Sequence, residues 1–370
     1  VPRDAWNRLV GEDGSPFLEW DWIGTLEDSG AATAETGWMP HHLTLWDDDR
    51  LIGACPLYVK AHSLGEFVFD QSWAAAAMRA GMRYFPKLLV GVPFTPATGA
   101  RFLAAPDVAR DEVRELLAGA LEAVCRESGA SSVHVTFCPP EEAEALAARG
   151  WLRRNAWQYH WVNDGFSTFE DYLGSLRSKR RNQTRRERRA LEEEGVEITT
   201  YTGDEIPEAL FARMFDLYRA TIERLPWGQQ YLELPFFTRI RERFGERLCF
   251  VVARQGGQVV AGTFNVVKGD TLYGRYWGTV REIRHLHFNV CYYAGIEYCI
   301  AHRLARFEPG AGGEFKLLRG FDATPTTSVH WIREPRLAAA IARSLVGENR
   351  YVAREIAWRN AESALRRNRG

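Results

Sequence analysis

The chain has 370 residues, 46% of them hydrophobic and 26% charged, and carries a formal net charge of -1 at neutral pH. That balance fits a globular protein with a sizeable core, and it excludes a whole-molecule field that would draw the chain to nucleic acid or to a membrane surface. At about 100–200 residues per domain, the length predicts two domains.

In the first half, residues 17–28 read as a short amphipathic helix. Residues 42–46 and 51–60 alternate as strands joined at the turn Asp47-Asp48-Asp49-Arg50. Apolar residues at 113, 116, 117, 120, 121 and 124 share one face of a helix over 108–125. A strand over 132–137, a helix over 140–149 closed by Gly150, and a strand over 151–162 complete this half.

The second half opens near Ser167 with a basic helix over 169–194 that ends at Gly195. A strand over 196–201, a helix over 207–225 and three strands over 247–254, 258–268 and 271–277 follow, with hairpin turns at Gly256-Gly257 and Gly269-Asp270. An apolar helix over 288–302 and a polar-faced helical tail over 336–367 close the chain. One boundary, between 1–165 and 166–370, divides the halves. Each half runs helix, strand hairpins, helix, strand, with a long helix on a central sheet. The expected fold class is therefore α/β, of the α+β kind. Its order matches the GNAT acyltransferase plan used twice.

Several chemistries drop out. The six Cys are scattered with no C-x-x-C pair, which predicts buried free thiols in a reducing cytoplasm. No apolar run reaches about 18 residues, so no membrane span is expected, and no signal peptide is visible. The first residue is Val, which is expected of a trimmed chain or a domain of a larger polypeptide. There is no G-x-S-x-G and no H-E-x-x-H. His285-x-His287-x-x-x-Cys291 has ligand-type residues, but it leads into an apolar helix without the usual companions, so no metal is expected. Residues 310–316 fail as a phosphate loop, since Gly does not directly precede Lys316 and no Ser or Thr follows it.

Two stretches can carry chemistry. Only five of the 47 basic residues are Lys, and one of these, Lys179, lies in a dense run with Arg177, Arg180, Arg181, Arg185, Arg186, Arg188 and Arg189. Glu187 is the one acid inside that run. The run reads either as a solvated helix or as a contact to phosphates, of RNA or of a phosphorylated substrate. The other stretch is 310–330. Its glycines allow close backbone approach, and Lys316 and Arg319 stand beside aromatic residues. A Lys there can stabilise the oxyanion formed when an amine attacks an ester or thioester; the plain alternative is a Gly-rich turn into an edge strand.

These residues carry a resemblance. Tyr276-Trp277-Gly278, Leu286-His287-Phe288, Cys291-Tyr292-Tyr293, Gly295-Ile296-Glu297, Glu308-Pro309-Gly310-Ala311, Lys316, Arg319-Gly320-Phe321 and Ser328-Val329-His330-Trp331 resemble the FemAB-like proteins of peptidoglycan biosynthesis or recognition, a tandem-GNAT group of N-acyltransferases. Asn289, Gly312 and Phe315 stand where that family usually has Glu, Gln and His. Phe315-Lys316 with Gly320-Phe321 is also similar to the Phe-Lys segment of the Fem ligases, which use aminoacyl-tRNA. The resemblance implies that Lys316 stabilises charge at the aminoacyl ester. It implies a substrate cleft near Tyr276, Trp277, Asn289, Phe315, Arg319, Ser328 and His330. It implies phosphate or tRNA contact by Arg177, Arg180 and Arg181, with Lys179 and Arg185 of the same run.

Ordinary GNAT enzymes hold acyl-CoA pyrophosphate on a Q/R-x-x-G-x-G/A turn at a helix start. After the strand over 271–277 stands Arg281-Glu282-Ile283-Arg284-His285-Leu286-His287-Phe288-Asn289, with no glycine, and Ala97-Thr98-Gly99-Ala100-Arg101 in the first half does not match either. The expected activity is amide formation from aminoacyl-tRNA, without a cofactor, in the cytoplasm. The acceptor is a small-molecule or peptide amine, of a cell-wall precursor or of antibiotic biosynthesis. An acyl-CoA N-acyltransferase with an atypical phosphate site and a non-catalytic recognition module are the alternatives.

Overall fold

The computed structural model describes residues 1–226 and 228–366. The chain forms two compact units, one of residues 1–157 with 325–354, the other of residues 158–324 with 355 onward. This differs from the single boundary at 165/166. The reason is a strand, Asp322–Ile332, whose later residues pair antiparallel with Ser132–Cys138, Val329 opposite Val135 and His330 opposite His134. That pairing returns the chain to the first unit.

In the first unit the main sheet runs in the order Trp38–Pro40, Leu57–Lys60, Lys87–Val90, Ser132–Cys138 and the returning strand. Lys87–Val90 and Ser132–Cys138 are parallel, and parallel neighbours need a crossover. Helix Arg110–Glu127 supplies it. Its Val113, Leu117, Leu121 and Cys125 pack on Leu88, Val90, Val133 and Val135. The strand expected over 51–60 is two strands, Arg50–Cys55 and Leu57–Lys60, parted at Pro56, which has no N–H for a ladder. Arg50–Cys55 joins a small sheet with Leu43–Asp47 and Leu103–Ala104.

In the second unit Val196–Thr202, Leu248–Gln255, Gln258–Lys268 and Thr271–Thr279 form an antiparallel series. Arg306–Glu308 then lies parallel to Thr271–Thr279, and the stretch Leu286–Ala301 makes the crossover. Alternation along the strands fills both faces. Phe250, Phe264 and Tyr276 meet Phe211 and Tyr218 of helix Ala209–Glu223 and Phe236 and Phe237 of helix Leu234–Phe244. Val251, Ala253 and Ala261 pack with Leu286, Val290 and Ala294 of the crossover. Both units thus span a parallel strand pair with one helix, and the fold is the α+β tandem of GNAT-like units.

Two helices depart from expectation. The basic helix is Phe169–Ser175 followed by Ser178–Glu193, because Leu176 is buried, extended and bridged to Leu365. The first piece starts on a capping box, in which Thr168 accepts from Asp171 N–H and Asp171 from Thr168 N–H. The helix expected over 288–302 is Leu286–Phe288, a π-helical turn Asn289–Tyr293, and Ala294–Ala301. The tail helix is Pro335–Ala361; residue 367, where it was expected to end, lies outside the described residues.

Candidate active site

The splay between Thr271–Thr279 and Arg306–Glu308 opens a pocket of about 220 Å³ in the second unit. Strand Gln258–Lys268 contributes Thr263 and Asn265, strand Thr271–Thr279 contributes Trp277, and the crossover contributes His287, Cys291 and Tyr292. The turn after Glu308 contributes Ala311, Gly312, Gly313 and Lys316. A bulge sets the sheet side: Phe264 pairs Tyr276 while Asn265 pairs Gly274, which leaves Arg275 extra. Bulges commonly re-aim side chains next to functional sites. The π-helical turn does the same for the crossover, since Cys291 and Tyr292 border the pocket while Asn289 and Tyr293 border a separate groove of about 440 Å³.

Lys316 sits at the start of a short 3₁₀ turn, Glu314–Arg319, and is 3% exposed. Its Nζ donates to Gly310 O at 2.6 Å and to Ala311 O at 3.4 Å. The ammonium therefore ties the glycine turn together and keeps one N–H direction for the pocket it lines. Gly313 takes φ +81°, a region that costs any residue with a Cβ. A Cβ on Gly310 would come within 3.2 Å of Gly274 O. Burial pushes Lys316 down to about 8, with neighbouring Cys291 acting in the opposite sense. Burial, then Lys316 and Arg319, push His287 down to about 4. Directly before the turn, burial raises Glu308 to about 7 against the pull of Arg306 and Arg275.

The other expected site residues scatter. Trp277 borders the pocket, with its ring 5.0 Å from that of His287. Tyr276 borders it too, but its ring packs against Tyr218, Phe237 and Phe264 on the opposite sheet face. Phe315 is 58% exposed and leans on Phe288. Asn289 donates to Glu187 O and His285 O and borders the groove instead.

Arg319, expected at substrate, is committed to the protein. It donates to Tyr293 Oη at 2.9 Å, Phe315 O at 2.9 Å and Glu187 Oε2 at 2.8 Å, and stacks 3.5 Å over Phe288. Ser328 and His330 belong to the first unit's interior. Ser328 Oγ accepts from Phe137 N–H, and His330 Nδ1 shares a 2.8 Å hydrogen bond with His134 Nδ1. Burial pushes His330 down to about 3.

On the basic helix, Arg177 donates to Ala361 O, Arg180 to Gln183, Arg185 to Glu170 and Arg188 to Glu297. Lys179, Arg181, Arg186 and Arg189 hold no side-chain partner among the described residues, and all but the half-buried Arg181 are exposed. Among those residues no group of three His, Cys, Asp or Glu is placed to hold a metal ion, and no helix is long and apolar enough to cross a membrane.

Sequence reasoning passed over Thr263 and Asn265. Their signal was present: two polar residues two apart, hence on one face, inside the apolar run Val259–Val267.

The fold and site are thus two GNAT-like units, the second with a buried lysine lining its pocket. The chain belongs to the FemAB-like family of peptidoglycan biosynthesis/recognition, whose signature matches residues 1–367. Among solved structures it is similar to FemX, at 12% identity and a TM-score of 0.56, over 92% of this chain and 98% of that one. It is likewise similar to L-PGS from Bacillus licheniformis, at 9% identity and a TM-score of 0.58, over 93% of this chain and 96% of that one. No curated protein matches the chain.

Proposed function

We propose that the protein transfers an aminoacyl group from aminoacyl-tRNA to an amine of a small molecule or peptide, forming an amide. The carrying observation is Lys316: a buried ammonium, anchored on two carbonyls, with one donor left at the pocket. The acceptor nitrogen attacks the ester carbonyl carbon, and negative charge gathers on the carbonyl oxygen. A fixed cation in a low-dielectric pocket lowers that barrier without reorganising. The ester C–O bond then breaks, and the departing ribose hydroxyl takes up the proton the amine gives up. A neutral amine attacks an activated ester readily, so the weakly basic His287 suffices as a neighbour.

The donor assignment is supported by the helix start. Residues 280–285, between strand and crossover, hold no glycine, and the helix that begins at Leu286 has His285 as its N-cap, with φ 65° and no side-chain cap. That is a poor cradle for the pyrophosphate of acyl-CoA. The partner-free cations of the basic helix suit an RNA backbone. Such a donor places the reaction in the cytoplasm. The family's role with peptidoglycan supports a cell-wall precursor as acceptor, and an amine of antibiotic biosynthesis has the same chemistry.

Incubation with charged tRNA and a panel of amines, with and without RNase pre-treatment, tests this. Amide that forms only with intact tRNA supports it. Product that survives RNase, or tight saturable calorimetric binding of CoA, replaces the donor with acyl-CoA. Unchanged activity in Lys316→Ala removes the role of the lysine.

A further inference from the structure

The floor of the Lys316 pocket carries a hydrogen-bond pattern that the transfer step does not use. Asn265 is 3% exposed, and its Nδ2 donates to Cys249 O at 3.0 Å and to Thr263 Oγ1 at 2.9 Å. A backbone carbonyl can only accept, so this pair fixes which way the amide faces. Asn265 Oδ1 is left without a donor among the described residues. It stands 3.5 Å from where a Cβ on Gly274 would be, a position that the Pro309 backbone closes at 3.1 Å, so only the pocket side of Oδ1 is left for a guest. Thr263 Oγ1 accepts from Asn265 and gives its own proton to no described residue. The floor therefore presents one fixed acceptor and one free hydroxyl, both on strand Gln258–Lys268 and both in the pocket lining.

The charges around it narrow the guest. The lining contains Lys316 and Arg275 but, among the described residues, no Asp or Glu. A cationic side chain would meet the like charge of Lys316 and Arg275 in the lining, and a carboxylate would be pressed against the lone pairs of Asn265 Oδ1. A purely aliphatic side chain would bury Oδ1 unsatisfied. Trp277 and Tyr292 form flat walls, and the volume of about 220 Å³ suits a small side chain.

We infer that Asn265 and Thr263 select an acyl group bearing an uncharged side chain with its own N–H or O–H, a hydroxyl or a carboxamide, and reject its aliphatic isostere. This rests on the proposed function only in taking the pocket as the seat of the transferred acyl group. It holds for an ester or a thioester donor alike.

Two isosteric pairs test it, threonyl against valyl and asparaginyl against leucyl. Each is offered on two scaffolds, amide-linked to 3′-amino-adenosine as a stand-in for the tRNA end, and as an N-acetylcysteamine thioester. Binding to the full chain is read by quenching of tryptophan fluorescence and by calorimetry. The polar member of each pair binds at least about tenfold more tightly, since a site built to hydrogen-bond a group discriminates strongly against its absence. Asn265→Leu abolishes the preference, and the near-isosteric Thr263→Val weakens it in a chain whose fold is checked by circular dichroism. A polar preference seen only on the thioester rejects tRNA as donor and leaves this inference standing. Equal binding within each pair, a preference for the aliphatic member, or binding on neither scaffold overturns it. So does an Asn265→Leu chain that weakens all guests equally, because Asn265 would then face the common α-amine.

Discussion

Glu187 and Arg319 lie 132 residues apart in sequence and meet at 2.8 Å, each almost fully buried. Glu187 also accepts from the Tyr293 hydroxyl and from Gln183 Nε2. Burial alone would raise this carboxyl, but the Tyr293 hydrogen bond and the Arg319 charge outweigh it and hold Glu187 below its ordinary range. Breaking a buried pair strands a charge, so Arg319→Ala or Glu187→Ala should cost about 3–5 kcal/mol in urea unfolding. Arg319→Lys should recover only part, because an ammonium cannot make the three-way fork. Normal stability with activity lost would return Arg319 to the substrate.

Lys316→Ala should lower kcat/KM by about 10²–10³-fold while the protein still unfolds cooperatively, the cost of removing one oxyanion donor. The wild-type rate should fall as pH rises through about 8, where the ammonium loses its proton. Stability should move the other way. Lys316 is lower when folded than its ordinary 10.5, so between about 8 and 10.5 the unfolded chain holds more protons and stability from this group rises with pH. Lys316→Met should flatten both trends. A rate that keeps rising above pH 9 would mean that the lysine acts neutral.

Arg186 and Arg189 are three apart and so neighbours on the helix surface, and neither has a partner among the described residues. Changing both to Ala should weaken tRNA binding and reduce the slope of log K against log salt by about two. Arg185→Ala breaks an exposed pair with Glu170 and should leave thermal stability nearly unchanged. An unaltered salt slope in the double variant would assign these cations to solvent.

At Gly278 strand Thr271–Thr279 lies directly against the backbone of helix Ala209–Glu223. A Cβ there would lie 2.0 Å from the Leu217 backbone carbonyl. Gly278→Ala must push backbone rather than a pliable side chain, so it should cost at least about 1–3 kcal/mol in thermal or urea unfolding. A stable Gly278→Ala protein would show that the helix can slide.

The strands and helices with clean periodicity were legible, down to Gln258–Lys268, whose bounds match. Helix Gln71–Arg79 was not, because its run of four alanines gives no polar-apolar contrast. Lys87–Val90 is too short and too uniformly buried to alternate. The turn before Lys316 was legible from its glycines, of which Gly310, Gly312 and Gly313 take positive φ. Arg319 misled: a cation beside aromatics looks the same in sequence whether it faces a ligand or a buried carboxylate. Only the fold brings Glu187, hidden in a run of arginines, to it. Ser328 and His330 misled for a related reason. They follow the site closely in sequence, while their strand has already left for the first unit's sheet.

That early departure sets an order of events on the ribosome. The first unit needs residues 325–354, so it is not finished when residue 157 emerges; its sheet waits with the Ser132–Cys138 edge unsatisfied. The second unit has most of its chain, 158–324, available earlier. The part of the protein synthesised first therefore cannot close until residue 354 has been made, and a chain stopped at residue 165 would expose an open strand edge rather than a folded domain.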